Sequence, residues 1–160
     1  MLFRSDFLAG LAGDGRALEF AIGTGRVGLP LSQRGINVAG IEFSEPMADQ
    51  LRAKPGAEQI ELVIGDMTSA RVEGSFRLVY LVYNTIMNLT TQAQQVQCFQ
   101  NAADHLAPGG CFVIEVMVPR LRSLPPGEKY QPFHVTEDQI GLDEYVSFSE
   151  QILKSHHVYN

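Results

Sequence analysis

Between Arg16 and Val118 the chain alternates short apolar runs with segments of helical spacing, and that alternation leaves few folds open to it. Repeated strand–helix–strand units pack most simply as a parallel sheet covered by helices. Arg16–Ile22 is the first apolar run and ends in glycines. Val27–Arg34 reads as a helix stopped by Gly35, with Pro30 acceptable because it lies near the first turn. Asn37–Glu42 reads as the second strand. Ser44 then caps a helix reaching Lys54, with Pro46 early in it. Gln59–Ile64 and Arg77–Val82 are rich in Val, Ile, Leu and Tyr, the pattern of strands buried on both faces. Thr91 and Gln94 form the capping box of a further helix, with its apolar stripe expected at Val96, Phe99, Ala103 and Leu106. Ala107–Gly110 ends that helix, and Cys111–Val118 is the fifth strand.

After Pro119 the character changes. Leu121–Gly127 reads as a linker, and Tyr130–Tyr159 as two or three less hydrophobic strands forming an antiparallel extension beside the main sheet. The expected organisation is a core over residues 1–119 and a β extension over 120–160, with Leu2–Leu11 supplying at most one helix in front. At 160 residues, 45% hydrophobic and 19% charged, the chain is globular in composition and about one domain long. Its longest apolar stretch, Leu78–Tyr83, is far short of the ~20 residues of a membrane helix. Asp6 and three glycines interrupt what would otherwise be a secretory leader. Two cysteines, Cys98 and Cys111, cannot build a disulfide framework or a metal cluster, so a reducing cytoplasm is expected. A net charge of −6 disfavours a nucleic-acid surface.

In a doubly wound α/β sheet, ligands bind beyond the carboxyl ends of the strands near the point where the strand order reverses. The chemistry-bearing residues of this sequence fall at those ends. The first strand runs into Gly23-Thr24-Gly25-Arg26-Val27-Gly28, a G-x-G-x-x-G turn whose backbone can approach a ligand closely. Glu42, 19 residues beyond Gly23, ends the second strand, where a carboxylate can accept a hydrogen bond from each hydroxyl of a ribose. Two nucleotide classes fit that pair, a dinucleotide and S-adenosylmethionine. Three features favour the second. Glu19 lies four residues before Gly23, where a carboxylate repels a pyrophosphate but attracts a sulfonium and its α-ammonium. After the third strand, Asp66 offers an acceptor for the adenine amine, and Met67 a backbone N–H and an apolar face for the ring. The fourth strand ends in Tyr83-Asn84-Thr85-Ile86-Met87-Asn88-Leu89, with polar amides rather than the Tyr/Lys or His base of a dehydrogenase.

The segments ALEFAIGTGRVGLPLSQRG, GIEFSEPMADQLRAK, VIGDMTS, FRLVYLVYNTIMNLTT and HLAPGGCFVIEV resemble, in order and spacing, the motifs of class I S-adenosylmethionine-dependent methyltransferases, over about residues 16–119. The resemblance implies a Rossmann-like, mostly parallel doubly wound sheet that binds S-adenosylmethionine. It implies that Glu19 helps hold the methionine ammonium and that Ala21, Gly23 and Gly25 pass beneath the cofactor. Glu42 would bind the ribose and Phe43 would pack on the adenine. Asp66 and Met67 would meet the adenine edge, and the backbone of Tyr83 would face the amino-acid portion. Asn84 and Asn88 become the substrate-side candidates.

Ala21 stands where the family usually has a glycine, which is harmless at negative φ and disruptive at positive φ. The family's sheet closes with an antiparallel sixth–seventh hairpin that the tail does not resemble, so a chain ending inside a substrate-side insertion is expected. The function expected is methyl transfer to a small-molecule acceptor, without metal, membrane or nucleic acid. The alternatives are an NAD(P)-dependent oxidoreductase and a fragmentary or non-catalytic cofactor-binding module. No cysteine or histidine stands out as a nucleophile or base. Glu115, inside an apolar strand, is expected to pair with an arginine or with backbone.

Overall fold

The structure, a computed structural model, describes residues 2–118 and 124–160, with side chains in the first helix described from Ser5 onward. Pro119 and the first part of the expected linker, and with them the expected boundary at 119/120, lie outside the described residues. Two compact units divide at Val116/Met117.

The first unit runs α1 (Leu2–Ala12), β1 (Ala17–Phe20), α2 (Gly28–Ser32), β2 (Val38–Glu42), α3 (Glu45–Arg52), β3 (Glu61–Ile64), β4 (Phe76–Leu81), α4 (Gln92–His105) and β5 (Leu106–Ile114). Its strands lie in the order β3-β2-β1-β4-β5, and every pairing is parallel. The chain therefore starts in the middle of the sheet, builds outward through β2 and β3, and returns to add β4 and β5 on the other side. The order reverses between β1 and β4, so the loops leaving those two strands open a crevice at the carboxyl edge.

Alternation along the strands divides the core between the two faces. Leu78, Tyr80 and Val82 join Leu8 and Ala12 of α1, Leu29 and Leu31 of α2 and Leu51 of α3. Val79 and Leu81 join Leu18, Phe20 and Ile41 with Cys98 and Ala102 of α4. Glu19 sits between Leu18 and Phe20 and so shares the face of Tyr80, its register partner across β1–β4.

Three expectations fail. β3 is not buried on both faces: Glu61 and Ile64 are exposed, because β3 is the edge of the sheet and has one neighbour. The buried stripe of α4 is Cys98, Asn101, Ala102 and His105, while Val96 and Phe99 are 67% and 52% exposed. This helix docks by polar contacts. Asn101 Nδ2 donates to the carbonyls of Met67 (2.9 Å) and Ala70 (3.1 Å). His105 Nε2 accepts the Val72 N–H (3.0 Å), which leaves Nδ1 to donate to the Asn101 carbonyl at 2.7 Å. Finally, β5 begins at Leu106 and ends at Ile114, with Ala107–Gly110 bulged out between the pairs Phe76↔Leu106 and Leu78↔Cys111. Glu115 therefore lies just beyond the strand.

The capping box of α4 forms as expected. Ser44 precedes α3, but its side chain makes no cap hydrogen bond. The second unit is an antiparallel meander, β6 (Tyr130–Val135), β7 (Gln139–Ser147) and β8 (Ile152–Tyr159), in a sheet of its own. Its central strand carries Glu144, which accepts from His156 at 2.9 Å and Tyr130 at 3.2 Å and pairs with Lys129 at 3.3 Å. Among the described residues no helix is long and apolar enough to cross a membrane.

Candidate functional site

The crevice is built by two loops that leave neighbouring strands, and a carboxylate fixes each of them. On the β1–β2 side, Gly23 takes φ +60°, and its N–H donates to Glu42 Oε2 at 2.7 Å. Glu42 Oε1 accepts the Ser44 N–H at 2.8 Å, so one buried side chain ties the loop after β1 to the loop after β2. Each carboxylate oxygen retains a second lone-pair direction for a ligand hydroxyl. The Lys54 ammonium, donating to the Thr24 carbonyl at 2.5 Å, holds the same loop from the end of α3.

Gly28 allows the loop to descend onto β1. A Cβ there would stand 2.8 Å from both Glu19 Oε2 and Ile22 Cδ1. The same closeness buries Glu19, which is 2% exposed, with Tyr80 Oη donating to its Oε2 at 3.0 Å. Loss of water pushes the Glu19 carboxyl up to about 8, against the hydrogen bonds from Tyr80 and the Gly28 backbone and the attraction of Arg26. The standing negative charge expected from the sequence is thus largely suppressed at neutral pH. Tyr80 was not singled out from the sequence. Its signal was a tyrosine in the strand that becomes β1's neighbour, and the pairing that aligns it with Glu19 is non-local.

Ala21 takes φ +51°, the left-handed region, so the methyl group sits where the family's glycine would be unstrained. Gly25, at φ +78°, packs against Leu29 and Leu51. Phe43, after β2, is 76% exposed and offers an aromatic face at the carboxyl edge. Asp66 is exposed, and its Oδ1 accepts from the Thr68 N–H and hydroxyl, both at 2.7 Å. The Met67 side chain is buried in the core.

On the β4–β5 side, Tyr83 and Asn84 take φ +61° and +63° in succession, without glycine. Glu115 holds them: its Oε2 accepts the Tyr83 N–H and its carbonyl the Asn84 N–H, each at 3.1 Å. The backbone partner expected for Glu115 is therefore found. Asn84 leads into the 3-10 turn Thr85–Asn88 without a side-chain cap hydrogen bond, and Asn88 is exposed at its far end. The Arg26 guanidinium lies 4.6 Å from the centre of the Tyr83 ring, joining the two sides of the crevice. Arg26, within the glycine motif, was also not singled out from the sequence. An apolar cavity of about 420 Å³ opens beside Glu115, walled by Phe7 and Leu8 of α1 and by Val82, Val113 and Ile114.

Comparisons with known proteins agree with this architecture. Residues 17–110 match the family model described as a methyltransferase domain. The CcbJ methyltransferase of Streptomyces caelestis superposes with a TM-score of 0.84 at 32% identity, over 96% of this chain and 64% of that one. CalS10, an amino pentose methyltransferase from Micromonospora echinaspora solved with S-adenosylmethionine, superposes with a TM-score of 0.73 at 19% identity, over 99% of this chain and 74% of that one. A putative methyltransferase of Bacillus subtilis, YqeM, is 29% identical over 110 residues, or 68% of this chain. The chain spans 44% of the length of that relative.

Proposed function

The chain belongs to the methyltransferase-domain family, and from that membership and the geometry of its crevice we propose that it binds S-adenosylmethionine and transfers the methyl group to a small-molecule acceptor. The observation that carries the proposal is the Glu42 clamp. A buried carboxylate orients the glycine turn through Gly23 at 2.7 Å, beside the reversal between β1 and β4, and retains acceptor capacity for a ribose.

The surrounding residues suit the rest of that cofactor. Phe43 presents a ring for the adenine, and Asp66, with Oδ1 engaged by Thr68, keeps Oδ2 for the exocyclic amine. Glu19 lies beneath the loop beside the expected amino-acid end, and an ammonium brought near it lowers its pKa and favours the charged form. When bound, S-adenosylmethionine supplies a methyl carbon on a sulfonium, activated for in-line displacement by the lone pair of an acceptor. The chain's part is positioning. Glu42 and the glycine turn fix the nucleoside, and the loop held by Glu115 sets where Asn84 meets the acceptor.

The cavity of about 420 Å³ beside that loop lies within the roughly 300–1,000 Å³ range of small-molecule sites. The net charge of −6 argues against nucleic acid as acceptor, and the low cysteine content favours a cytoplasmic setting. CalS10 is an amino pentose methyltransferase, in keeping with this choice. We assign the β6–β8 unit to the acceptor side. Calorimetric titration with S-adenosylmethionine, S-adenosylhomocysteine and NAD(H) tests the reading. Binding of the first two alone is the expected result, and binding of NAD(H) alone overturns it.

A further inference from the structure

The loop between β3 and β4 is held from behind by two buried polar side chains of α4. Asn101 and His105, each 2% exposed, lie one helical turn apart. Asn101 Nδ2 donates to the carbonyls of Met67 and Ala70 at 2.9 and 3.1 Å, and His105 Nε2 accepts the Val72 N–H at 3.0 Å. His105 Nδ1 donates to the Asn101 carbonyl at 2.7 Å, which fixes the neutral tautomer whose Nε2 lone pair the loop uses. Phe20 and Phe76 flank the imidazole, with ring centroids at 6.1 and 6.0 Å, and hold its orientation.

Such docking is not what stability alone would select. Asn101 Oδ1 is buried without a hydrogen-bond partner among the described residues, and an apolar pair of similar size would avoid that cost. The polar pair supplies a unique seat instead, because three backbone groups between Met67 and Val72 each have one matched position. The front of the loop is fixed separately, by the Gly65 N–H on the Glu42 carbonyl at 2.9 Å. Asp66 stands between these two anchorages. Its carbonyl accepts the N–H groups of Ser69 and Ala70, and its Oδ1 accepts the N–H and hydroxyl of Thr68. The direction of its Oδ2 is therefore set through the loop by α4.

We propose that Asn101 and His105 are positioning residues for recognition of the base. By seating the loop they hold Asp66 Oδ2 where it accepts from the exocyclic amine of adenine and repels the oxo group of hypoxanthine. The inference rests on the S-adenosylmethionine reading above and adds the residues that enforce its choice of base.

S-Adenosylhomocysteine and S-inosylhomocysteine differ only in the base, which carries an amine in the first and an oxo group in the second. Calorimetry on the unaltered protein is expected to show the first binding about 10- to 100-fold more tightly, the range for a hydrogen bond to a charged group. In Asn101→Leu and His105→Leu that ratio should fall by about 3- to 10-fold, through weaker binding of S-adenosylhomocysteine. His105→Gln, whose amide oxygen can stand in for Nε2, should retain it. A general loosening of the structure weakens both ligands alike and leaves the ratio unmoved. Should a leucine variant fail to fold, Asn101→Ser, which shortens the donor and keeps a polar group, carries the same expectation. An unmoved ratio in the folded variants overturns the proposal, as does an equal fall in His105→Gln or an unaltered protein indifferent to the base. If the unaltered protein binds neither ligand, the cofactor reading itself fails and this inference falls with it.

Discussion

The two sides of the crevice solve one problem with different materials. On each, a loop leaving a central strand is fixed by a carboxylate from the neighbouring outer strand or the residue just past it: Glu42 takes the N–H of Gly23, and Glu115 takes the N–H of Tyr83. On the β1–β2 side the clamped residue is a glycine, for which φ +60° carries no side-chain penalty. On the β4–β5 side the clamped residues are Tyr83 and Asn84, and the left-handed backbone disfavours them by about 1–2 kcal/mol each. Glycine gives a turn that a ligand can approach closely. The strained tyrosine gives up that ease and places a ring, with Arg26 on it, at the mouth. The first side is built for backbone contact and the second for side-chain contact.

The comparison is sharpened most by Glu19, the buried acid of the first side. Its folded-state pKa of about 8 lies above the ordinary 4.5, so as pH rises the unfolded chain gives up the proton first. Stability tied to this group is intact below about pH 4.5, declines as pH rises and levels off beyond about 8. Glu19→Gln is expected to remove that slope, a relative gain of about 3–5 kcal/mol at the alkaline end. Urea denaturation of both proteins across this range measures it, and parallel curves would mean that the acid is not desolvated.

Glu42→Ala is expected to weaken S-adenosylhomocysteine binding by about 1.5–3 kcal/mol, since the ribose acceptor and the loop clamp go together. Unchanged calorimetric affinity would remove the first side from the site. Glu115→Ala should cost a smaller amount, about 1 kcal/mol of stability by denaturant titration. The Tyr83–Asn84 turn loses a hydrogen bond but stays near water. A loss as large as that of Glu42→Ala would make the two clamps equivalent. Smallest is Ala21→Gly, which relieves a left-handed alanine at φ +51° and should stabilise by about 0.5–1 kcal/mol, part of the relief being offset by greater freedom of the unfolded chain. Destabilisation in the thermal midpoint would show that the alanine methyl packs favourably enough to outweigh its backbone strain.

Much of the fold was legible because it is written in local patterns. The capping box of Thr91 and Gln94 placed the start of α4, and Gly35 placed the end of the segment containing α2. The face that α4 buries was not legible. Asn101 and His105 look like solvent-facing residues until their hydrogen bonds to Met67, Ala70 and Val72 are known, and those partners lie more than 30 residues away. Ser44 looked like a cap, yet its contribution is a backbone N–H given to Glu42. Glu115 looked like an intruder in a strand because the bulge at Ala107–Gly110, which shifts the end of β5, depends on pairing with β4.

The sequence alone determined the alternation of strands and helices, the glycine turn after β1 and the spacing that brings an acid to the end of β2, since each follows from backbone preference and hydrophobic period within a short window. Tertiary structure decided the protonation of Glu19, the hold of Glu115 on Tyr83 and the seat of Arg26. Each of these depends on which strands become neighbours and how much water they exclude. Desolvation and cross-strand register are properties of the assembled sheet, and no stretch of chain carries them by itself.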